Sequence, residues 1–174
     1  DKIEIKIGFE MECYPLYFEQ MIKKAIDFGA EYLILGHHYL ENEYPDFIAC
    51  TKSNDNKKHL IEYTDSVITG IKSGYFTYVA HPDVLNCSGN DEVYAEQTRR
   101  LCKTSLEYNI PLEINFLGIR GGRHYPNNIF WKIAGEEGSP VVFGFDAHES
   151  ENAYDAKSLK IAENMVKKYN LNYI

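Results

Sequence analysis

The sequence predicts a single α/β domain built around a mostly parallel sheet. Strand-like runs alternate with helix-like runs along the whole 174-residue chain, a pattern typical of βα units whose right-handed crossovers leave the strands pointing one way. The composition, 44% hydrophobic and 14% aromatic, is enough for one core. The chain shows neither internal repeats nor low-complexity segments. We therefore expect residues 1–174 to form one domain.

Five short runs have the composition of strands. The first alternates apolar and polar residues in period two, and the other four are rich in β-branched or aromatic residues and are bounded by Gly, Pro or Asn. The predicted strands are 3–9, 31–36, 75–80, 111–115 and 140–145, and the terminal run 171–174 is a candidate sixth.

Helix-like stretches separate these strands. In the first stretch, apolar residues recur at helical spacing from Phe18 to Ile26, and Gly29 stands where a C-cap glycine is expected. Asn90 and Asp91 are N-cap candidates for the third stretch. The predicted helices are 16–28, 57–72, 91–108, 127–137 and 151–169. The longest irregular stretch, 41–57, is a candidate lid or rim.

Charge and cysteine usage narrow the function classes. The net charge of −8 and the pI near 5.2 argue against a general nucleic-acid surface. No apolar run approaches the length of a bilayer span, so no membrane partner is expected. The four cysteines, Cys13, Cys50, Cys87 and Cys102, are far apart and form no C-x-x-C pair. Free thiols in the reducing cytoplasm are the simplest interpretation.

Side chains that can bind metals lie at the end of each predicted strand. They are Glu10 and Glu12 after the first strand, His37 and His38 after the second, His81 after the third, Glu113 and Asn115 on the fourth, and Asp146 and His148 after the fifth. The C-terminal ends of parallel strands share one edge, where βα loops converge. Because imidazoles and carboxylates are preferred by Zn, Mn and Fe, the set predicts a metal site at that edge.

Several of these residues have an ordinary structural alternative. His37 and His38 are adjacent, so on a strand they point to opposite sides and only one of them can face the site. Glu12 is either a partner behind a ligand or a charged rim residue. Asp83, close to His81, could orient an imidazole. Glu113 could equally form hydrogen bonds in the interior.

A second cluster occupies the segment 115–127, "NFLGIRGGRHYPN". Arg120, Arg123 and His124 lie there with two glycines between the arginines. Guanidinium groups match phosphate oxygens, and glycines let the backbone approach an anion. An ordinary basic surface turn would explain the same residues. Beside a metal site, however, the cluster points to phosphoester hydrolysis.

Five segments resemble, in order and spacing, motifs of the PHP (polymerase and histidinol phosphatase) superfamily. They are "GFE" (8–10), "YLILGHHYL" (32–40), "AHPD" (80–83), "LEIN" (112–115) and "FDAHES" (145–150). An arginine-containing loop that ends in Tyr-Pro extends the match. The similarity is greatest to the monofunctional histidinol-phosphatase branch.

The resemblance implies a distorted (β/α)7 TIM-like barrel that holds two or three divalent ions, Zn, Mn or Fe. The metal ligands it implies are Glu10, His38 rather than His37, His81, Asp146 and His148. It also implies that Arg120, with Arg123 beside it, binds the substrate phosphate.

The chain departs from the family pattern in its first third. The family begins with a His-x-His strand end, whereas no His precedes residue 37 here, and five or six strands are fewer than seven. The chain also begins without Met and close to a strand. We therefore expect it to be the C-terminal portion, about two-thirds, of a PHP-type barrel; a natural remnant is the alternative.

Together these features predict a metal-dependent phosphomonoesterase, and the resemblance implies that its substrate is L-histidinol phosphate, hydrolysed in histidine biosynthesis. Asp146 or His81 would pass a proton to the leaving alkoxide. The partner is then a small phosphorylated substrate. Two alternatives remain: a non-catalytic or regulatory PHP domain, and a PHP phosphoesterase that acts on a nucleotide or a phosphodiester.

Overall fold

The computed structural model describes residues 3–44 and 47–174. Its strands are β1 (Gly8–Met11), β2 (Tyr32–Leu35), β3 (Tyr39–Leu40), β4 (Ile48–Ala49), β5 (Tyr78–Val79), β6 (Leu112–Asn115), β7 (Pro140–Gly144) and β8 (Asn172–Tyr173). Six of them form one sheet in the order β1-β2-β5-β6-β7-β8, and all neighbours in it are parallel. The predicted α/β fold with a parallel sheet is confirmed.

Within the described ranges, six α-helices connect the strands. They are α1 (Phe18–Asp27), α2 (Lys57–Ser73), α3 (Asp91–Tyr108), α4 (Phe116–Arg120), α5 (Asn128–Glu137) and α6 (Ala156–Tyr169). Helix α2 packs against α3, α3 against α5, and α5 against α6. The sequence pattern did not predict α4, which follows β6 directly because the Asn115 side chain caps it by accepting the Gly118 N–H.

The first strand begins later than predicted. Residues Ile3, Ile5 and Ile7 have the alternating pattern of a strand but are 86%, 77% and 65% exposed, and the pairing with β2 starts only at Gly8. At Ile7 the backbone N–H donates to the carboxylate of Glu31 at 2.9 Å instead of to a strand partner. The residues that alternate in period two therefore precede the strand, and β1 itself extends to Met11.

The predicted lid or rim contains a small hairpin in which β3 pairs antiparallel with β4. Residues 45 and 46 of this stretch lie outside the described residues. The hairpin is joined to the site edge of the main sheet, since the Cys50 N–H donates to the His38 carbonyl at 2.8 Å.

The core lies between the sheet and its helices. Leu35 on β2, Leu112 and Ile114 on β6, and Val141 on β7 are fully buried. Each strand contributes only a few such residues, so the helices supply the rest, with Trp131 of α5 the largest. All four cysteines are free thiols. Among the described residues, none of the helices is both long and apolar enough to cross a membrane.

Replacement of Gly135 by Ala should destabilise the fold. Helix propensity alone favours Ala by about 1 kcal/mol in a helix interior, but a Cβ on Gly135 would overlap the backbone carbonyl of Tyr169 at the end of α6. Overpacking of this kind costs about 1–3 kcal/mol, so the clash should outweigh propensity. Urea unfolding should show a lower free energy of unfolding for Gly135→Ala. The exposed neighbour Lys132→Ala should change it by less than about 0.5 kcal/mol, and a more stable Gly135→Ala would contradict the packing of α5 on α6.

Candidate metal centre

Three of the predicted ligands converge at the C-terminal edge of the sheet. Glu10 lies on β1, and His38 and His81 follow β2 and β5, which are successive neighbours in the sheet. Oε1 of Glu10 lies 3.0 Å from Nε2 of His81 and 3.5 Å from Nε2 of His38. One ligand atom from each of the three residues lies within 4.8 Å of the others.

This donor set fits a divalent metal ion. One carboxylate oxygen and two imidazole nitrogens point into the same space, and three protein ligands with an open position are typical of catalytic zinc sites. The ring centres of His38 and His81 lie 4.6 Å apart, and the rings meet edge-on and do not stack. The Nε2 atoms of both rings therefore face Glu10. The described residues therefore include a group that can hold a metal.

Asp146 and His148 line the same pocket, which has a volume of about 340 Å³. Oδ2 of Asp146 accepts a hydrogen bond from Nδ2 of Asn115 at 3.0 Å, and Oδ1 lies 3.2 Å from Nδ1 of His148. The His148 side chain is 70% exposed. The two residues are thus close to each other at the pocket wall, but they do not belong to the compact Glu10, His38 and His81 cluster.

Glu113 forms the interior support of the site. Its carboxylate is 3% exposed and accepts the backbone N–H of His81 and the side-chain N–H of Asn115, each at 2.9 Å. Burial raises the pKa of this carboxyl, while Asn115 and His81 lower it. Because Asn115 also contacts Asp146, the network links the loop after β5 to the loop after β7. The sequence left two roles open for Glu113, a metal-binding side chain or an interior hydrogen-bonding group, and the structure shows the second.

Two site residues have left-handed backbone conformations. The φ angle is 29° at His81 and 44° at Asp146. Positive φ is uncommon for residues other than glycine and is concentrated at functional sites and turns. Asn109 and Asn170, which share this conformation, terminate helices α3 and α6. His81 and Asp146 terminate no helix, and both line the pocket.

Glu12 is a hydrogen-bond partner of His38. Its carboxylate accepts the His38 backbone N–H at 2.9 Å and lies 2.5 Å from Nδ1 of the same residue. Burial raises the pKa of Glu12, but the neighbouring imidazoles of His37 and His38 outweigh burial and lower it to about 2. His37 is buried against Tyr63, with 5.4 Å between the ring centres, and so faces away from the pocket that His38 lines.

The structure separates the three residues of the predicted anion-binding loop. Arg123 is exposed, lines the pocket and donates to the Tyr125 hydroxyl at 2.8 Å. Arg120 is not brought into the pocket, because its guanidinium donates to the carbonyls of Phe145 and Asp146 and to the carboxylate of Asp155. His124 is not brought there either.

Two contacts attach this loop to the loop that carries His81. Nε2 of His124 lies 2.7 Å from the carbonyl of Val84. Asp83 accepts the backbone N–H of Asn127 at 2.6 Å and the indole N–H of Trp131 at 3.0 Å. Burial raises the pKa of the Asp83 carboxyl to about 6, although these hydrogen bonds by themselves would lower the pKa. The suggestion that Asp83 orients an imidazole is therefore wrong: its carboxylate holds the start of α5.

Sequence reasoning missed two glycines that make room for the site carboxylates. A Cβ on Gly36 would overlap the carboxylate of Glu10, and one on Gly144 would overlap that of Glu113. Both glycines lie at or just after the end of a strand, in "GHH" and "FGFD". A glycine at that position in an otherwise apolar strand is a signal of close approach that could have identified them.

Comparisons with known proteins agree with the resemblance that the motifs predict. No family model matches the chain. In an alignment of 157 positions that covers 85% of the chain, the chain is 27% identical to a probable histidinol-phosphatase of Deinococcus radiodurans. The whole chain is similar, at a TM-score of 0.70 and 20% identity, to 70% of a histidinol phosphate phosphatase of Lactococcus lactis subsp. lactis whose crystal structure contains zinc, L-histidinol and phosphate.

These findings confirm a histidinol-phosphatase-like relationship for the chain and show the fold that the two structures share. The chain spans 59% of the length of the Deinococcus relative.

Replacement of Gly144 by Ala should weaken the site through Glu113. The added methyl group would displace a buried carboxylate and leave the donors on His81 and Asn115 unpaired, at about 1–3 kcal/mol for each buried group. We expect a lower free energy of unfolding by urea and a lower metal content by elemental analysis. In a Glu113→Ala background the same replacement should have a much smaller effect, because the clashing group is gone. Equal effects in both backgrounds would contradict this role of Gly144.

Proposed function

We propose that the full-length protein is a metal-dependent phosphomonoesterase that hydrolyses L-histidinol phosphate to L-histidinol and phosphate. The observation that supports this most is the convergence of Glu10, His38 and His81 in a pocket that Arg123 also lines. A metal cluster and a guanidinium group in one pocket suit a phosphorylated substrate. The similar Lactococcus protein was crystallised with zinc and with the two molecules that this hydrolysis yields.

Glu10, His38 and His81 would hold the metal, and Asp146 and His148 would complete the ligands that this chain supplies. We infer two or three ions of Zn, Mn or Fe, because these metals accept mixed imidazole and carboxylate ligands. When bound, such ions supply a nucleophilic water at neutral pH and neutralise charge on the phosphoryl group.

Arg123, which lines the same pocket, would bind the phosphate oxygens. Its side chain is exposed, and the hydrogen bond to the buried Tyr125 hydroxyl fixes one edge of the guanidinium while the remaining N–H groups can face the ligand. Guanidinium binding of this type stabilises negative charge that develops on the equatorial oxygens.

Asp146 is better placed than His81 to move the proton. His81 is almost fully buried and its Nε2 is engaged by Glu10, so it suits a ligand role. Asp146 lines the pocket, and Asn115 holds one of its carboxylate oxygens. Asp146 would take the proton released by the attacking water and return it to the leaving alkoxide of L-histidinol.

We also propose that residues 1–174 form the C-terminal two-thirds or so of a distorted (β/α)7 PHP-type barrel. In the part of the chain that the structure describes, β1 and β8 each pair with one neighbour, so closure of a barrel would require further strands between them. The greater length of the relatives supports this inference. The segment that supplies those strands would also supply the remaining metal ligands.

Replacement of His38 by Ala should abolish most of the activity. The assay measures phosphate release from L-histidinol phosphate by the full-length protein in the presence of Zn or Mn. Mutation of a residue that only hydrogen-bonds to a metal ligand lowers activity roughly 10–100-fold, and loss of the ligand His38 itself should lower it by more. His59→Ala is the control, because His59 lies on α2 and contacts Asn54 outside the pocket. Full activity of His38→Ala would refute the ligand assignment. A wild-type protein without metal and without phosphate release would instead favour the non-catalytic alternative.

The two arginines of the loop should give opposite results. Arg123→Ala should raise KM about 10–100-fold, since a hydrogen bond to a charged group contributes about 1.5–3 kcal/mol, and it should lower the free energy of unfolding less than Arg120→Ala does, because it removes only the hydrogen bond to Tyr125. Arg120→Ala should lower the free energy of unfolding, because it removes contacts to two carbonyls and to Asp155. Kinetics and urea unfolding measured on both variants test this. A KM effect of Arg120→Ala equal to that of Arg123→Ala, without loss of stability, would overturn the assignment.

A further inference from the structure

The buried histidine His37 has a position that the proposed function leaves unexplained. Its side chain is 1% exposed, and neither ring nitrogen has a hydrogen-bond partner among the described residues. Burial of an unpaired polar group costs about 1–3 kcal/mol, so an apolar side chain would pack there at lower cost. Nδ1 of His37 lies 3.5 Å from Oε2 of Glu12, which places the imidazole beside a partly buried carboxylate.

Glu12 lies between the two consecutive histidines. Its Oε1 faces Nδ1 of His38 at 2.5 Å, and its Oε2 accepts the His38 backbone N–H at 2.9 Å and faces His37. Glu12 also lies two residues after Glu10, so an extended chain places both carboxylates on the same side. Glu10 thus approaches Nε2 of His38, whereas Glu12 approaches Nδ1.

This arrangement turns one nitrogen of His38 towards Glu12 and leaves the other for the metal site. Nδ1 lies beside the acceptor oxygens of Glu12, whereas Nε2 faces the space shared with Glu10 and His81, where a metal ion would bind. The His38 side chain is 41% exposed. Without Glu12, water could solvate either nitrogen and the ring could populate both tautomers and other rotamers.

We propose that Glu12, against which the buried His37 lies, is a positioning residue that fixes the His38 imidazole with its Nε2 facing Glu10 and His81. Metal-bound histidines commonly donate their second N–H to a carboxylate, which orients the ring and makes it a better ligand. The inference rests on the proposed function in that it takes His38 as a metal ligand. It gives His37 the role of packing against Glu12, with its Nδ1 3.5 Å from Oε2.

Zinc titration of the metal-free, full-length protein tests this proposal. Glu12→Gln keeps the size of the side chain and removes its charge, and it should weaken zinc binding about 10–100-fold. His37→Phe keeps the ring against Tyr63 and should weaken zinc binding in the same direction by a smaller factor. Glu107→Gln, at an exposed position of α3, is the matched control and should bind zinc like the wild type.

Nitrogen-15 NMR of the histidine side chains in the metal-free protein gives a second result that does not depend on activity. In the wild type, His38 should be protonated at Nδ1, and in Glu12→Gln both tautomers should be populated. Unfolding curves recorded in parallel separate loss of zinc from loss of folding. A folded Glu12→Gln protein with wild-type zinc affinity and an unchanged His38 tautomer overturns the inference.

The His38→Ala variant distinguishes this failure from failure of the proposed function. If His38→Ala binds zinc as tightly as the wild type, His38 is not a ligand and the metal site itself is wrong. If His38→Ala loses zinc while Glu12→Gln retains it, the metal site stands and only the role of Glu12 and His37 is refuted.

Discussion

The parallel pairing of β1, β2 and β5 is the constraint on which the candidate site depends. Glu10 is in register with Ile34, and Leu35 with Val79, so the residues that follow β2 and β5 emerge beside Glu10 at one edge. Side chains alternate between the two faces of a strand, and a slip of one residue would turn Glu10 to the other face. Burial of the strand interiors, such as Leu35, fixes this register.

Buried carboxylates then hold the loops that leave this edge. Glu113 binds the backbone of His81, and Asp83 binds the backbone where α5 begins, so that each loop is attached to an interior charge. A buried carboxylate is unfavourable unless it is hydrogen-bonded, and once it is, the low dielectric strengthens each bond. Gly144 makes room for the buried Glu113 carboxylate, because a larger residue at position 144 would occupy its place.

Most of the fold could be predicted from local pattern, and the exceptions have specific causes. Hydrophobic periodicity located the helices, but it missed α4, whose five residues are too few to show a period and which begins at the Asn115 cap. It placed the first strand too early because alternation in Ile3 to Ile7 does not reveal whether a partner strand lies alongside. Asn90 does occupy the N-cap position of α3, as predicted, but its side chain does not cap the helix because it donates to the carbonyl of Asp55.

The sequence by itself determined the α/β class, the strand ends that carry Glu10, His38 and His81, and the resemblance to histidinol phosphatases. These features are local: each depends on a few neighbouring residues along the chain. The tertiary structure alone decided that Arg123 rather than Arg120 lines the pocket, that Asp83 and Glu113 are interior supports, and that Glu12 stands behind His38. Arg120 and Arg123 are chemically identical, and their roles differ because the carbonyls of Phe145 and Asp146 lie within reach of only one of them. Which acceptors lie within reach depends on residues distant in sequence, and local pattern carries no information about them.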